Sequence, residues 1–102
     1  MRRFPFDTDE SIIKHLFNVA RDRRARSLKL EKEYKLIDAR ESLFETVHTY
    51  NELLREIEES SQRAPLSEEI IEIRRDAQEE RDYLEKQLNI ISEYIYNSGR
   101  TI

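Results

Sequence analysis

Residues 60–71 read SSQRAPLSEEII. A run of polar side chains, a proline, and a serine followed by two glutamates mark the end of one helix and the start of another. Pro65 has no backbone N–H and disfavours helical geometry in the residue before it, so a helix arriving from upstream stops there. Ser67 can accept a hydrogen bond from a free amide of the new helix, and Glu68 and Glu69 suit the positive end of its dipole. Leu66 can pack on Ile71 as a hydrophobic staple. A link this short makes the flanking helices antiparallel neighbours.

The apolar spacing is helical on both sides of this turn. Downstream, apolar residues fall at 70, 73, 77, 84, 88, 91 and 95, with a gap at Glu80; upstream they fall at 43, 44, 47, 50, 53, 54 and 57. The spacing predicts hairpin helices over residues 28–62 and 67–97, with Gly99 in the left-handed position past the second. Counting outward from the turn places Ile57 near Ile73, Val47 near Leu84 and Tyr34 near Tyr94. It also brings Glu80 to His48–Tyr50 and Arg40 to Gln87–Asn89.

A second helix start lies in FPFDTDES, residues 4–11. Asp7 or Thr8 can cap it, Asp9 and Glu10 suit its first turn, and Ile12, Ile13, Leu16, Phe17 and Ala20 form one face. The pattern predicts an arm over residues 1–7 and an amphipathic helix over 8–26. Between Ala20 and Leu28 the only apolar residue is Ala25. On a helical wheel, the apolar direction near Leu16 lies about 200° from that near Ile57, more than gradual drift explains. Either the helix breaks near residues 21–29, as a solvated joint, or it runs on and its two ends face different neighbours.

The fold expected is therefore all-α and a single domain over residues 1–102: an elongated antiparallel hairpin with an additional N-terminal amphipathic helix. That helix can fold back as a third member, or two hairpins can dimerise into a helical bundle. The apolar pairs 43/44, 53/54, 70/71 and 90/91 widen each stripe and favour the dimer. The interface expected uses Leu43, Phe44, Leu53, Leu54, Ile70, Ile71, Ile90, Ile91 and Tyr94.

Composition agrees. The 102 residues are 39% charged and 37% hydrophobic, with one glycine, two prolines and no cysteine, which favours long helices over a β fold or a disordered tail. Without cysteine there is neither a disulfide nor a thiolate metal site. No apolar run approaches the roughly 20 residues that cross a bilayer, and no signal-peptide pattern follows MRRF, so the expected location is cytoplasmic, without a membrane partner.

Charge is uneven. Residues 1–36 carry 10 Lys/Arg against 6 Asp/Glu, and residues 37–102 carry 8 against 16. Lys14, Arg21, Arg24, Lys32 and Lys35 could form a phosphate-tracking stripe if residues 14–35 are helical. Asp22, Glu31 and Glu33 interrupt it. Glu45 and His48 have the Glu-x-x-His spacing of di-iron bundles, but Glu45 projects away from the apolar stripe, so no metal ligand is assigned. Arg40 and Glu80 stand in core phase and are expected to fix helix register. Phe4 and Phe6 around Pro5 form a small apolar hook that can fold onto the first helix or dock on a partner. No catalytic residue and no cofactor is expected. The functional expectation is a non-enzymatic protein–protein interaction module, an adaptor, regulator or chaperone-like protein, whose partners are a second copy of itself and another protein. The alternatives are a nucleic-acid-associated regulator using the basic face of residues 14–35 and, third, a helical-bundle metal protein or enzyme.

Overall fold

The computed structural model describes residues 9–100, with side chains to residue 98. Phe4, Phe6, Asp7 and Thr8, singled out above, lie outside the described residues. The described chain forms α1 (Asp9–Lys32), α2 (Leu36–Arg63) and α3 (Glu68–Arg100), and among the described residues there is no strand. The turn at Pro65 forms as its residues require. Ala64 is extended, and its amide closes the end of α2 on the Ser60 carbonyl at 3.1 Å. Ser67 caps α3: its Oγ accepts from the Ile70 amide at 3.3 Å and its carbonyl from the Ile71 amide at 3.0 Å. Gly99 does not terminate α3. The helix runs through it to Arg100, and no glycine among the described residues has positive φ.

The larger departure from expectation is upstream. The first helix does not break at residues 21–29 or stop at 26; it continues to Lys32 and the chain turns at residues 33–35. The hairpin helix accordingly begins at Leu36 rather than 28. Tyr34 takes φ 59, its amide donates to Glu31 O at 3.0 Å, and the Lys35 amide donates to Leu30 O at 3.0 Å. These two bonds are the Schellman closure of a helix C-terminus, with tyrosine where glycine is the usual occupant. A side chain in this left-handed conformation costs on the order of 1–2 kcal/mol.

That turn folds α1 back on α2, and the Pro65 turn folds α3 on the other side of α2. Both α1 and α3 pack along α2 while meeting each other in few places. The assembly measures 56 × 22 × 21 Å. Buried α1 residues are Ile13, Ala20 and Ser27, spaced seven apart on one line. Small residues and hydroxyls make the α1–α2 seam. Ser27 Oγ lies 2.7 Å from Ser42 Oγ and donates to Arg23 O at 3.0 Å, while Thr46 Oγ1 donates to Ser42 O at 2.7 Å. Both hydroxyl protons are then directed at carbonyls, so the 3.1 Å approach of Ser27 Oγ to Thr46 Oγ1 draws on a shared proton. Arg23 completes the seam with a 2.7 Å bond to Thr49 Oγ1.

The rest of the core, shared among the three helices, is apolar. Leu43, Tyr50, Leu53 and Ile57 of α2 and Ala77 and Leu84 of α3 are fully buried, each large side chain contributing about 1.5–3 kcal/mol. The apolar pairs widen the stripe of α2 because this helix has neighbours on two sides within the chain. Four residues expected at a dimer interface, Leu43, Leu53, Ile70 and Ile91, are consequently interior, and Leu54 is half-buried against the same core. Phe44, Ile71, Ile90 and Tyr94 remain exposed.

Replacing Tyr34 with glycine removes the left-handed penalty. Tyr34→Gly should raise unfolding stability by about 1 kcal/mol in urea titrations followed by circular dichroism. An unchanged or lower midpoint would contradict the turn geometry.

Candidate functional site

Because α1 and α3 both run away from α2's C-terminal end, they are parallel to each other. Long polar side chains bridge them. Lys14 Nζ lies 3.0 Å from Glu69 Oε1, Arg24 Nε 2.5 Å from Glu80 Oε2, and Gln87 Nε2 donates to Glu31 Oε1 at 3.1 Å. Each α3 residue is numbered 55 or 56 above its α1 partner, which is one parallel register held over the length of α1. Both helices lie along α2, and they meet each other more loosely than either meets α2.

Between the C-terminal halves of α1 and α3 runs a groove of about 970 Å³. Leu28 and Lys32 line it from α1, and Tyr83, Gln87, Ile91 and Tyr94 from α3. Tyr34 and Leu36 border it at the 33–35 turn. Tyr34 is 86% exposed, Tyr94 61% and Tyr83 49%, so this rim holds three of the exposed large side chains. The expected meeting of Tyr34 and Tyr94 at the open end of the hairpin takes this form: two walls of one groove. A smaller depression of about 400 Å³ lies on another flank, around Arg40, Phe44 and Leu88.

The five residues of the expected basic stripe do not act as one surface. Lys14 is shared between Glu69 and Glu10, whose hydrogen bonds raise its pKa further above the usual lysine value. Arg24 is paired with Glu80, and Lys35, past the helix end, with Glu33 at 3.4 Å. Arg21 lies over the Phe17 ring at 5.5 Å. Lys32 stands on the groove rim with Lys29, a residue the sequence pattern did not single out. The expected stripe from 32 to 35 fails because Tyr34 turns the chain out of the helix.

Glu45 and His48 are both exposed, and His48 Nε2 pairs with Glu52 Oε1 at 2.8 Å. Among the described residues no group of three or more His, Cys, Asp or Glu is placed to hold a metal ion. Among them, too, no helix is long and apolar enough to cross a membrane. Arg40 borders the smaller depression beside Leu88 and Asn89, near the residues expected from the hairpin count.

Glu80 sits in a polar node. Its Oε2 and the Arg24 Nε approach as ions but lie outside hydrogen-bond geometry. The Tyr50 hydroxyl is buried and without a hydrogen-bond partner. Burial, and next the Glu80 carboxylate, push the Tyr50 pKa up to about 12, with Arg24 and Arg21 acting in the opposite sense. The sequence count had brought Glu80 to Tyr50; it could not show Arg24 arriving from α1. Comparison with protein-family models, with curated proteins and with solved structures finds no match to this chain.

The node makes an alkaline prediction. A phenol whose folded pKa lies above the unfolded value of roughly 10 favours the neutral form in the fold, so its contribution is whole below pH 10. It is lost as pH rises through about 12. Between those values wild type should lose about 2–3 kcal/mol that Tyr50→Phe retains. At neutral pH the same variant should be equal to wild type or about 1 kcal/mol more stable, because an unpartnered hydroxyl is removed. Parallel pH–stability curves for the two proteins would contradict this assignment.

Proposed function

We propose that this chain is a helical protein–protein interaction module, an adaptor, regulator or chaperone-like protein without catalytic chemistry, that receives a helix in the groove between α1 and α3. The observation that carries the reading is the combination at that groove's rim. An apolar lining is bordered by exposed tyrosines, and one of them, Tyr34, is held at positive φ where glycine would be easier. Backbone strain concentrates at sites where the side chain has work to do beyond the fold. Tyrosine supplies a large amphipathic contact with little rotamer entropy to lose, which suits an interface anchor. A helix laid in such a groove packs against both α1 and α3.

A second reading keeps nucleic acid as the ligand. Lys29 and Lys32 are exposed beside the groove tyrosines and Arg21 is exposed further along α1, and cations beside aromatic rings can track phosphates and stack bases. The carboxylates paired with Lys14, Arg24 and Lys35 compete with phosphate for these cations, which favours the protein reading.

The test is photocrosslinking in the native cell, with benzoylphenylalanine placed at Tyr83 or Tyr94 and, as a control on exposed α2 surface, at Arg55. Discrete protein adducts from the two groove positions and none from Arg55 are expected. Equal labelling from all three, or none, would sink the groove as the binding site. On the second reading, wild type should shift labelled DNA or RNA at low salt, and reversing Arg21, Lys29 and Lys32 should abolish the shift.

A further inference from the structure

Resting on the docking reading above, we propose that the occupant of the groove is α3 of a second copy, lying antiparallel to α3 and pairing through Tyr83, Gln87, Ile90 and Tyr94. These four residues follow one another in steps of four, three and four, the spacing of a coiled-coil seam. On a helical wheel they fall within about 60°. Ile90 and Tyr94 are among the most exposed large apolar side chains, and the stripe lies beside the groove rather than on the buried face of α3.

Antiparallel pairing gives this stripe a self-complementary register. Tyr83 meets the second copy's Tyr94, and Gln87 meets the second copy's Ile90, each contact occurring twice about the twofold axis. Aromatic pairs close both ends of the seam, and the polar Gln87 sits near its middle, where it selects one register over slipped ones.

The charges flanking the seam agree with the antiparallel direction. Lys86 and Glu93 are exposed, one residue before Gln87 and one before Tyr94. In the proposed register Lys86 faces the second copy's Glu93, and the reverse, so two ion pairs form. A parallel in-register pairing would place Lys86 and Glu93 on opposite flanks of the seam and form neither ion pair. The incoming helix runs antiparallel to both α1 and α3.

A charge swap tests the register. Sedimentation equilibrium of the full chain should show a dimer for wild type. Lys86→Glu and Glu93→Lys should each raise the dimer Kd about tenfold, because each substitution sets like charges together at two places. The double variant K86E/E93K should return to wild-type affinity, with circular dichroism unchanged throughout. A wild type that stays monomeric at high micromolar concentration overturns the self-pairing. So does a dimer whose affinity ignores the single substitutions or is not restored in the double. Failure here with groove-specific crosslinks to a different protein leaves the docking reading standing, whereas failure of both removes it.

Discussion

The hydroxyl of Ser27 sets the arrangement on which the rest of this molecule depends. It is fully buried, and its contacts with Ser42 and Thr46 fix how α1 is rotated against α2. A larger side chain there would hold the helices apart, and an apolar one of the same size would leave the α2 hydroxyls short of a partner. With Ser27, Ala20 and Ile13 turned inward, Arg24 and Glu31 reach α3, while Leu28 and Lys32 stand on the groove. The groove is therefore a consequence of how that seam sets the rotation of α1.

The two seams of α2 divide the labour differently. Its contact with α3 is built from apolar side chains. Its contact with α1 combines the apolar Ile13 and Ala20 with hydroxyls, which specify rotation and register through directional bonds. The link from α1 to α3 is polar and partly exposed, so each of its ion pairs adds little stability. What these rungs do is hold α1 and α3 in parallel register along the groove.

The hairpin was legible because its signals are chemical. Pro65 removes an amide, Ser67 supplies a capping oxygen, and the α3 stripe repeats at helical steps. The continuation of α1 was not legible, because apolar periodicity counts Ser27 as a gap when it is the buried contact. The turn at residues 33–35 was hidden for a related reason: the left-handed position is filled by Tyr34, and nothing in a tyrosine announces positive φ. Missing that turn assigned the wide stripe of α2 to a second molecule, although α1 of the same chain covers part of it. Among candidate site residues, the Glu80–Tyr50 proximity followed from the hairpin count, whereas the Arg24–Glu80 pair required knowing how α1 returns. Lys29 was missed because only the groove distinguishes it from other helix-surface lysines.

A chain this small has few ways to bury a core, and the described helices leave a groove open between α1 and α3. Tyr34, Tyr83 and Tyr94 lie on that side. The most direct measurement of the account is the set of nuclear Overhauser contacts from the Thr46 methyl group in isotope-labelled protein. A helix α1 that is continuous and seated on α2 predicts strong contacts to the Ser27 β-protons that persist at concentrations where the protein is monomeric. Absence of those contacts, or their appearance only between differently labelled molecules, would contradict it.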